Sequence, residues 1–213
     1  FRELFNGTFG GGHNVTMSGG FDFEGAPASY MFNTTFYGCS NLTGPIPSSL
    51  FGNISGAPAQ NMFYATFFDC SNLTGPIPSG LFGAISGTPA HSMFYATFRG
   101  CSNLTGSIPS GLFGNISGTP MPFMFQATFR YCSNLTGSIP SGLFGNISGE
   151  PAIYMFYLTF DGCSNLTGES ALMPDGTTHL YKQFPTASGT ECDNCYFNAT
   201  GLNDYATMPD AWK

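Results

Sequence analysis

The sequence predicts an α/β solenoid with short helices on one face and a parallel sheet on the other. Three residues recur at a constant step of 31 over most of the chain. A period in this range is typical of solenoids, propellers and arrays, whose units contact only their neighbours. We therefore expect one elongated domain. The recurring residues are Met31, Met62, Met93, Met124 and Met155; Cys39, Cys70, Cys101, Cys132 and Cys163; and Asn41, Asn72, Asn103, Asn134 and Asn165.

The first part of each unit has the spacing of a helix. In the unit that begins at Thr88, the residues at 89, 90, 93, 94, 97, 98 and 101 form one largely apolar stripe. Thr88 suits the N-cap, Pro89 suits the first helical position, and Gly100 suits the end of a helix. The spacing therefore predicts a short helix that ends near Cys101.

The second part of each unit has the alternation of a strand. Leu104, Gly106 and Ile108 alternate with polar residues, and Pro109 ends the pattern. The stretch 110–118 is then predicted to return as a loop. Because one unit buries too little apolar surface to offset the entropy of ordering it, we expect the units to stack. Their strands then form a parallel sheet.

The two ends of the chain depart from the repeat. Residues 1–30 keep little of its register and are predicted to be a divergent N-terminal repeat or a cap. Residues 31–168 are predicted to form the solenoid. Residues 169–213 hold the only Trp and a Cys192–Cys195 pair, and are predicted to form a C-terminal cap.

Composition excludes several functions. The chain has a formal net charge of −7, and charged residues make up only 8% of it. Nucleic acids and anionic membranes both require clustered Lys and Arg, which are absent here. No apolar run approaches the length of a membrane span. The sequence predicts no cofactor and no metal, since the three His residues are isolated and do not recur with the repeat.

One block of the repeat resembles a known family. The pattern M-F-x-x-T-F-x-x-C-S-N-L-T-G-x-I-P, at 62–78 and its copies, is similar to the BspA-like leucine-rich repeats of microbial surface proteins. The resemblance covers about 26–168. It implies a leucine-rich-repeat-like right-handed coil at the cell surface or outside the cell. It also implies adhesion or recognition without enzymatic activity. The period of 31 exceeds the 20–29 residues usual for such repeats.

Differences between the copies indicate a contact surface. The strand part hardly changes, whereas three positions of the predicted helix vary and are rich in aromatic residues. Spacing of i, i+4 and i+8 places them on the outer helix face, where exposed aromatic patches mark contacts with partners. The alternative is that these rings pack over helix grooves within the solenoid. We call these eight residues the aromatic set: Tyr30, Tyr37, Tyr64, Phe68, Tyr95, Phe123, Tyr154 and Tyr157.

The seven cysteines fall into two groups. The five in the repeat are odd in number and have parallel side chains in a stack, so we predict buried free thiols rather than disulfides or a metal site. Cys192 and Cys195 form a C-x-x-C pair outside any redox fold, and this favours a local structural disulfide. A zinc site is the weaker alternative, because only one such pair exists.

Asparagine occurs unusually often in glycosylation sequons. Twelve of the 15 Asn residues begin N-x-S/T, and this pattern either marks N-glycosylation of an extracellular surface or reflects Asn in turns and Thr in strands. The candidates are Asn6, Asn14, Asn33, Asn41, Asn72, Asn103, Asn134, Asn165 and Asn198.

Three functional hypotheses follow from these patterns. The first is a non-enzymatic extracellular repeat protein that binds a protein or a glycan through its solenoid surface. The second is a structural subunit that assembles end to end with copies of itself, since an open parallel sheet is a template for another chain. The third is a hydrolase site completed by the C-terminal segment.

Overall fold

The computed structural model describes residues 14–20, 24–51, 53–82, 84–184 and 191–213. These ranges contain one α-helix, α1 (Leu180–Gln183), and two short 3₁₀ helices at Tyr205–Thr207 and Asp210–Trp212. Parallel strands and few helices are compatible with the α/β class. The seven strands are β1 (Val15–Thr16), β2 (Glu24–Gly25), β3 (Leu42–Thr43), β4 (Asn53–Gly56), β5 (Ala84–Gly87), β6 (Asn115–Gly118) and β7 (Asn146–Ile147).

The predicted parallel sheet is confirmed. β2, β4, β5, β6 and β7 form a five-stranded parallel sheet in that order, and β1 pairs in parallel with β3. A second line of parallel pairing joins single residues, for example Gly75 with Leu104 and Gly106 with Leu135. Along both lines the paired residues are 29 apart, as in Ser55 with Ala84, so each residue pairs with the position two before its counterpart in the next unit.

Strands β4 to β7, however, lie where the sequence predicts a loop, whereas β3 lies at the predicted strand position. Between 104 and 108 only isolated bridges form, whereas β6 occupies Asn115–Gly118. The left-handed backbone of Gly106, with φ of 76°, interrupts the predicted strand. In β6, Ile116 points into the core while Asn115 and Ser117 are exposed, which is the alternation of a half-buried strand.

Tight turns replace the predicted helices, which corrects the sequence analysis. Five turn segments cover 29–38, 60–69, 91–100, 122–131 and 153–162. In the first, the amide of Asn33 donates to the carbonyl of Tyr30 at 3.3 Å, but the next amide, that of Thr34, donates to Tyr64 in the second segment at 2.8 Å. Every second amide thus bonds to the neighbouring segment. An α-helix would keep these bonds within one segment.

Backbone dihedrals show how the turns repeat. Every fourth residue of a turn segment has a positive φ, between 49° and 76°. This conformation costs roughly 1–2 kcal/mol at a residue other than glycine, so contacts between the segments must offset it. The residues are Tyr30, Thr34, Gly38, Asn61, Ala65, Asp69, Ser92, Ala96, Gly100, Phe123, Ala127, Tyr131, Tyr154, Leu158 and Gly162.

Phenylalanine rings provide much of that contact. The rings of Phe67 and Phe98 stack with centroids 5.5 Å apart and planes 5° apart, and Phe98 stacks on Phe129 at 5.8 Å. A second row runs through Phe63 and Phe94 at 5.6 Å. A third row, formed by the phenylalanines that precede the strands, packs against the first two. The core therefore lies between the turn segments and the sheet.

Threonine and cysteine side chains also link the turn segments. The Thr97 hydroxyl donates to the carbonyl of Phe63 at 2.9 Å, and the Cys101 thiol donates to that of Phe67 at 3.0 Å. Cys132 and Cys163 make the same contact one and two segments further on. All five repeat cysteines are buried, and within the described residues none of them forms a disulfide, so the prediction of buried thiols is confirmed.

Burial raises the pKa of these thiols, which makes stability depend on pH. The pKa values of Cys70, Cys101, Cys132 and Cys163 all lie above the ordinary value of 9.0. Thiols of the unfolded chain ionise near pH 9, whereas the folded chain keeps them neutral. The stabilisation is therefore complete below pH 9 and is lost as pH rises, by about 1.4 kcal/mol per pH unit for each thiol.

We therefore expect the free energy of unfolding to fall by several kcal/mol between pH 8 and pH 10.5, as measured by chemical denaturation at each pH. In the double variant Cys101→Ala with Cys132→Ala, which has two fewer buried thiols, the fall should be smaller. An identical fall in the double variant would show that the thiols do not cause it.

A sixth turn segment, which the sequence does not predict, follows the repeat. Backbone carbonyls of residues 192–198 accept hydrogen bonds from amides of the fifth segment, as happens between the earlier segments. The amide of Phe160 donates to the carbonyl of Cys195 at 2.7 Å, and the amide of Gly162 donates to the carbonyl of Phe197 at 2.8 Å. Tyr196 stacks on Phe160 at 5.4 Å, in the place where a phenylalanine would be expected. The spacing to this segment is longer than 31 residues, so the constant period of the sequence does not reveal it.

The last residues of the chain cover the sixth turn segment. Trp212 is 1% exposed, its ring lies 6.1 Å from that of Phe156, and its carbonyl accepts the amide of Tyr196 at 2.8 Å. This end of the stack is therefore capped by the chain itself. Within the described ranges, no helix is both long enough and apolar enough to cross a membrane.

Candidate functional site

The aromatic set lies on the outer side of the turn segments, but most of its rings are half-buried. Tyr30 and Tyr37 are 40% and 37% exposed, and the other six are less exposed. The backbone reverses every few residues, so these side chains point away from the Met and Phe residues of the core. The structure thus brings the eight residues to one side, on turns rather than helices.

The rings of the aromatic set stack between neighbouring turn segments. Tyr64 and Tyr95 lie 4.4 Å apart with planes 3° apart, and Tyr37 and Phe68 lie 4.5 Å apart. Burial raises the pKa of Tyr64, with a further contribution from Tyr95. Each stacked pair is expected to contribute roughly 0.5–1.5 kcal/mol beyond its buried area. Packing within the protein, the alternative in the sequence analysis, therefore accounts for part of this surface.

A small second hydrophobic cluster lies beneath these rings. Its buried members are Ala65, Ala96, Ala127 and Leu158, and Tyr64, Phe68, Tyr95 and Tyr157 pack against it. Alanine at these positions leaves room for a ring to lie flat on the turn. The aromatic set is consequently held in place before any partner binds.

A shallow cavity opens in this surface. It has a volume of about 300 Å³ and is lined by Tyr64, His91, Ser92, Tyr95, Phe123 and Gln126. Aromatic rings form its walls and polar side chains contribute the rest. The side-chain oxygen Oε1 of Gln126 is buried and has no hydrogen-bond partner. A ligand in the cavity would reach this oxygen only after a rotation of the Gln126 side chain.

Sequence reasoning missed several exposed apolar residues near this surface. Tyr131 is 46% exposed, and Arg130 lies over its ring at 4.6 Å while donating to the buried Asp161 carboxylate at 2.7 Å. Ile153 is 44% exposed. Both were read as positions of a helix, and only the turn geometry shows where they point.

The sequon asparagines differ in their surroundings. Asn14, Asn72, Asn103, Asn134, Asn165 and Asn198 are exposed, Asn41 is half-buried, and Asn6 lies outside the described residues. The side-chain amides of Asn72 and Asn165 donate to Ser40 and Ser133, at 2.7 Å and 2.8 Å. Asn33 is only 7% exposed, so a glycan there would have to be attached before the chain folds.

The two C-terminal cysteines are buried as free thiols, and no disulfide joins them. The amide of Cys195 donates to the carbonyl of Cys192 at 3.0 Å, so the pair shapes the sixth turn segment. Burial raises the pKa of Cys192 to about 12. These features give the pair a packing role.

A polar cluster in the C-terminal segment combines residue types found in catalytic and metal sites. Glu169, His179 and Asp204 place potential ligand atoms within 4.8 Å of one another. The Ser170 hydroxyl donates to Asp204 at 2.7 Å and lies 3.0 Å from Nδ1 of His179. Asp204 also accepts the amide of Ser170 at 2.9 Å. Both carboxylate oxygens of Asp204 are therefore already engaged.

This geometry does not favour nucleophilic catalysis. In a catalytic triad, serine and the carboxylate contact opposite nitrogens of the histidine ring. Here Ser170 and Asp204 both lie near Nδ1, Asp204 at 3.2 Å, and Ser170 is fully buried. The cluster instead fixes the segment that precedes α1 against the end of the chain.

Comparisons of the chain with protein-family models, with curated proteins and with solved structures gave no match.

Proposed function

We propose that this chain is a non-enzymatic, extracellular or surface-located recognition protein that binds a protein or a glycan through the outer side of its turn segments. In this proposal the 31-residue units form one solenoid, and the resemblance to BspA-like leucine-rich repeats reflects a shared role in adhesion. The parallel pairing and the stacked phenylalanines support the solenoid. The low charge and the sequon-rich surface support the extracellular location.

The single observation that carries the proposal is the aromatic surface around the shallow cavity. Tyrosine is enriched where one protein binds another molecule, because its large ring loses little conformational entropy on binding. The rings are already ordered by stacking, and so binding costs still less entropy. A surface needed only for stability would have no reason to vary among copies whose core does not vary.

Replacing Tyr64 and Tyr95 with alanine tests the proposal. The full chain, fluorescently labelled, would be titrated onto cultured epithelial cells and onto bacterial cells, and binding measured by flow cytometry. We expect saturable binding of the wild type and a tenfold or greater loss of affinity in the double variant. Thermal denaturation should show that the variant remains folded, with about 1–3 kcal/mol less stability from the lost stack and its burial.

The matched control replaces Thr105 and Thr136 with alanine. Both are exposed and lie on the line of Leu–Gly pairing, away from the aromatic set. This variant should bind as the wild type does. Failure of the wild type to bind any cell, or equal binding by all three proteins, would contradict the proposed surface.

A further inference from the structure

The shallow cavity lies where two rows of aromatic side chains are interrupted. One row runs Tyr64, Tyr95, Gln126 and Tyr157 through successive turn segments, so a glutamine stands where a tyrosine would continue the stack. In another row, Phe123 stacks on Tyr154 at 5.4 Å, but the preceding segment has Ser92. Each interruption removes a ring, and Ser92 and Gln126 both line the cavity.

The polar groups in the cavity are only partly satisfied. Nδ1 of His91 and the hydroxyl of Ser92 lie 2.8 Å apart and hydrogen-bond to each other. Oε1 of Gln126, in contrast, is buried without any partner. An unpaired buried acceptor costs roughly 1–3 kcal/mol. Because this atom is covered in the folded chain, a ligand donor recovers that cost only if the Gln126 side chain rotates to bring Oε1 to the cavity surface.

The lining selects the chemical class of such a ligand. None of the six lining residues is Asp, Glu, Lys or Arg, so a charged group would find no counter-ion there. Tyr64, Tyr95 and Phe123 offer ring surface, while His91, Ser92 and Gln126 offer hydrogen bonds. A pyranose has a matching pair of features, since its C–H face packs on aromatic rings and its hydroxyls donate and accept.

An aromatic side chain of a partner protein fits less well. Tyrosine or tryptophan would fill the ring-lined space but brings a single hydrogen-bonding group. The lining of the cavity includes five side chains that can form hydrogen bonds: Tyr64, His91, Ser92, Tyr95 and Gln126. A ring that carries several hydroxyls uses more of them.

We propose that this cavity binds one neutral pyranose residue of a glycan, with a sugar hydroxyl hydrogen-bonded to the side-chain amide of Gln126 after that side chain has rotated toward the ligand. The inference rests on the proposed recognition function and names the ligand class of that surface.

Two variants of the cavity test the inference by different routes. Ser92→Phe fills the space, and a ring is tolerated there because Phe123 and Tyr154 occupy the same position with similar φ values of 61° and 55°. Gln126→Leu keeps the volume but removes the acceptor. The matched controls are Ser110→Phe and Gln60→Leu, which make the same replacements at exposed positions outside the cavity.

The full chain would be applied to an array of neutral oligosaccharides, and hits would be titrated by ligand-observed NMR. The simplest probes are the methyl pyranosides of glucose, galactose, mannose and N-acetylglucosamine. We expect saturable binding of at least one neutral saccharide, a loss of tenfold or more in both cavity variants, and affinities within twofold of the wild type in both controls. Thermal denaturation would show whether each variant is folded. If one cavity variant does not fold, the affinity of the other cavity variant tests the inference.

Three results would overturn the inference. One is that no neutral saccharide binds, or that binding survives in both cavity variants. Another is that N-acetyl-tyrosinamide or N-acetyl-tryptophanamide binds in the cavity in place of sugars, which would assign the cavity to a protein partner. Binding to cells that is lost in the Tyr64 and Tyr95 double variant but retained in Ser92→Phe would overturn the sugar site and leave the recognition surface intact.

Discussion

Replacing Phe98 with alanine is expected to lower the free energy of unfolding by about 3–5 kcal/mol. Phe98 is fully buried, and its ring stacks between Phe67 at 5.5 Å and Phe129 at 5.8 Å, with the ring of Phe82 tilted by 48° at 5.9 Å. The loss includes the transfer of the ring out of the core, the cavity left behind, and the break in a continuous stack. For a chain of this length, the melting temperature should fall by roughly 6–20 °C.

Chemical and thermal denaturation, followed by circular dichroism, would measure the effect of this substitution. The control is Phe197→Ala, which removes the same ring from a position that is 44% exposed. That change should cost less than about 1 kcal/mol. Equal losses in the two variants would mean that the stacked phenylalanines are not the main source of cohesion between the turn segments.

The sequence predicts the parallel pairing and the buried residues well, but not the local backbone. The stripe at i, i+4 and i+8 fits a helix of 3.6 residues per turn, and it fits a turn of four residues equally well over so short a segment. What distinguishes them is the left-handed backbone at every fourth residue. Gly38, Gly100 and Gly162 indicate it, but Ala65, Ala96 and Leu158 occupy the same conformation and hide the signal.

The strands were misplaced for a related reason. The alternation Leu104, Gly106, Ile108 has the period of a strand, yet Gly106 adopts a positive φ that stops the ladder. The stretch Asn115–Gly118 has the same period over fewer residues and is flanked by glycines, which favours a loop in a sequence reading. Only the packing of Ile116 against its neighbours selects this stretch as the strand.

The aromatic set could be chosen from the sequence because it varies where the core does not. The cavity could not, because Ser92 and Gln126 are ordinary polar residues in any list of variable positions. They matter because they stand where other turn segments have aromatic rings, and this becomes apparent only when successive turn segments are compared in the folded structure. Likewise, only the folded structure shows that Oε1 of Gln126 is buried without a hydrogen-bond partner.

Replacing Trp212 with alanine is expected to cost about 3–5 kcal/mol and to change the association state of the protein. Its ring packs on Phe156 at 6.1 Å and Tyr196 at 6.3 Å, and its carbonyl accepts the Tyr196 amide. Without the ring, the final residues lose their anchor and the sixth turn segment is uncovered. An uncovered edge of unpaired backbone groups is a template for another chain.

Analytical ultracentrifugation over a range of concentrations, together with chemical denaturation, would measure both effects in the Trp212→Ala variant. We expect a monomeric wild type and concentration-dependent association of the variant. The control is Lys213→Ala, which removes an ion pair with the exposed Asp210 and a 3.5 Å hydrogen bond to the carbonyl of Ala206, and should change stability by less than about 1 kcal/mol. A variant that remains monomeric and as stable as the wild type would contradict the capping role of Trp212.

The same experiment bears on assembly into filaments, the second hypothesis from the sequence. End-to-end stacking requires an open end, and Trp212 closes one end of the stack in the folded chain. If the wild type itself forms filaments at high concentration, the closing residues must swing aside or the contact must use another surface. If only the Trp212→Ala variant associates, the C-terminal residues prevent self-association of the protein. The outer aromatic surface then remains the proposed binding surface for a partner.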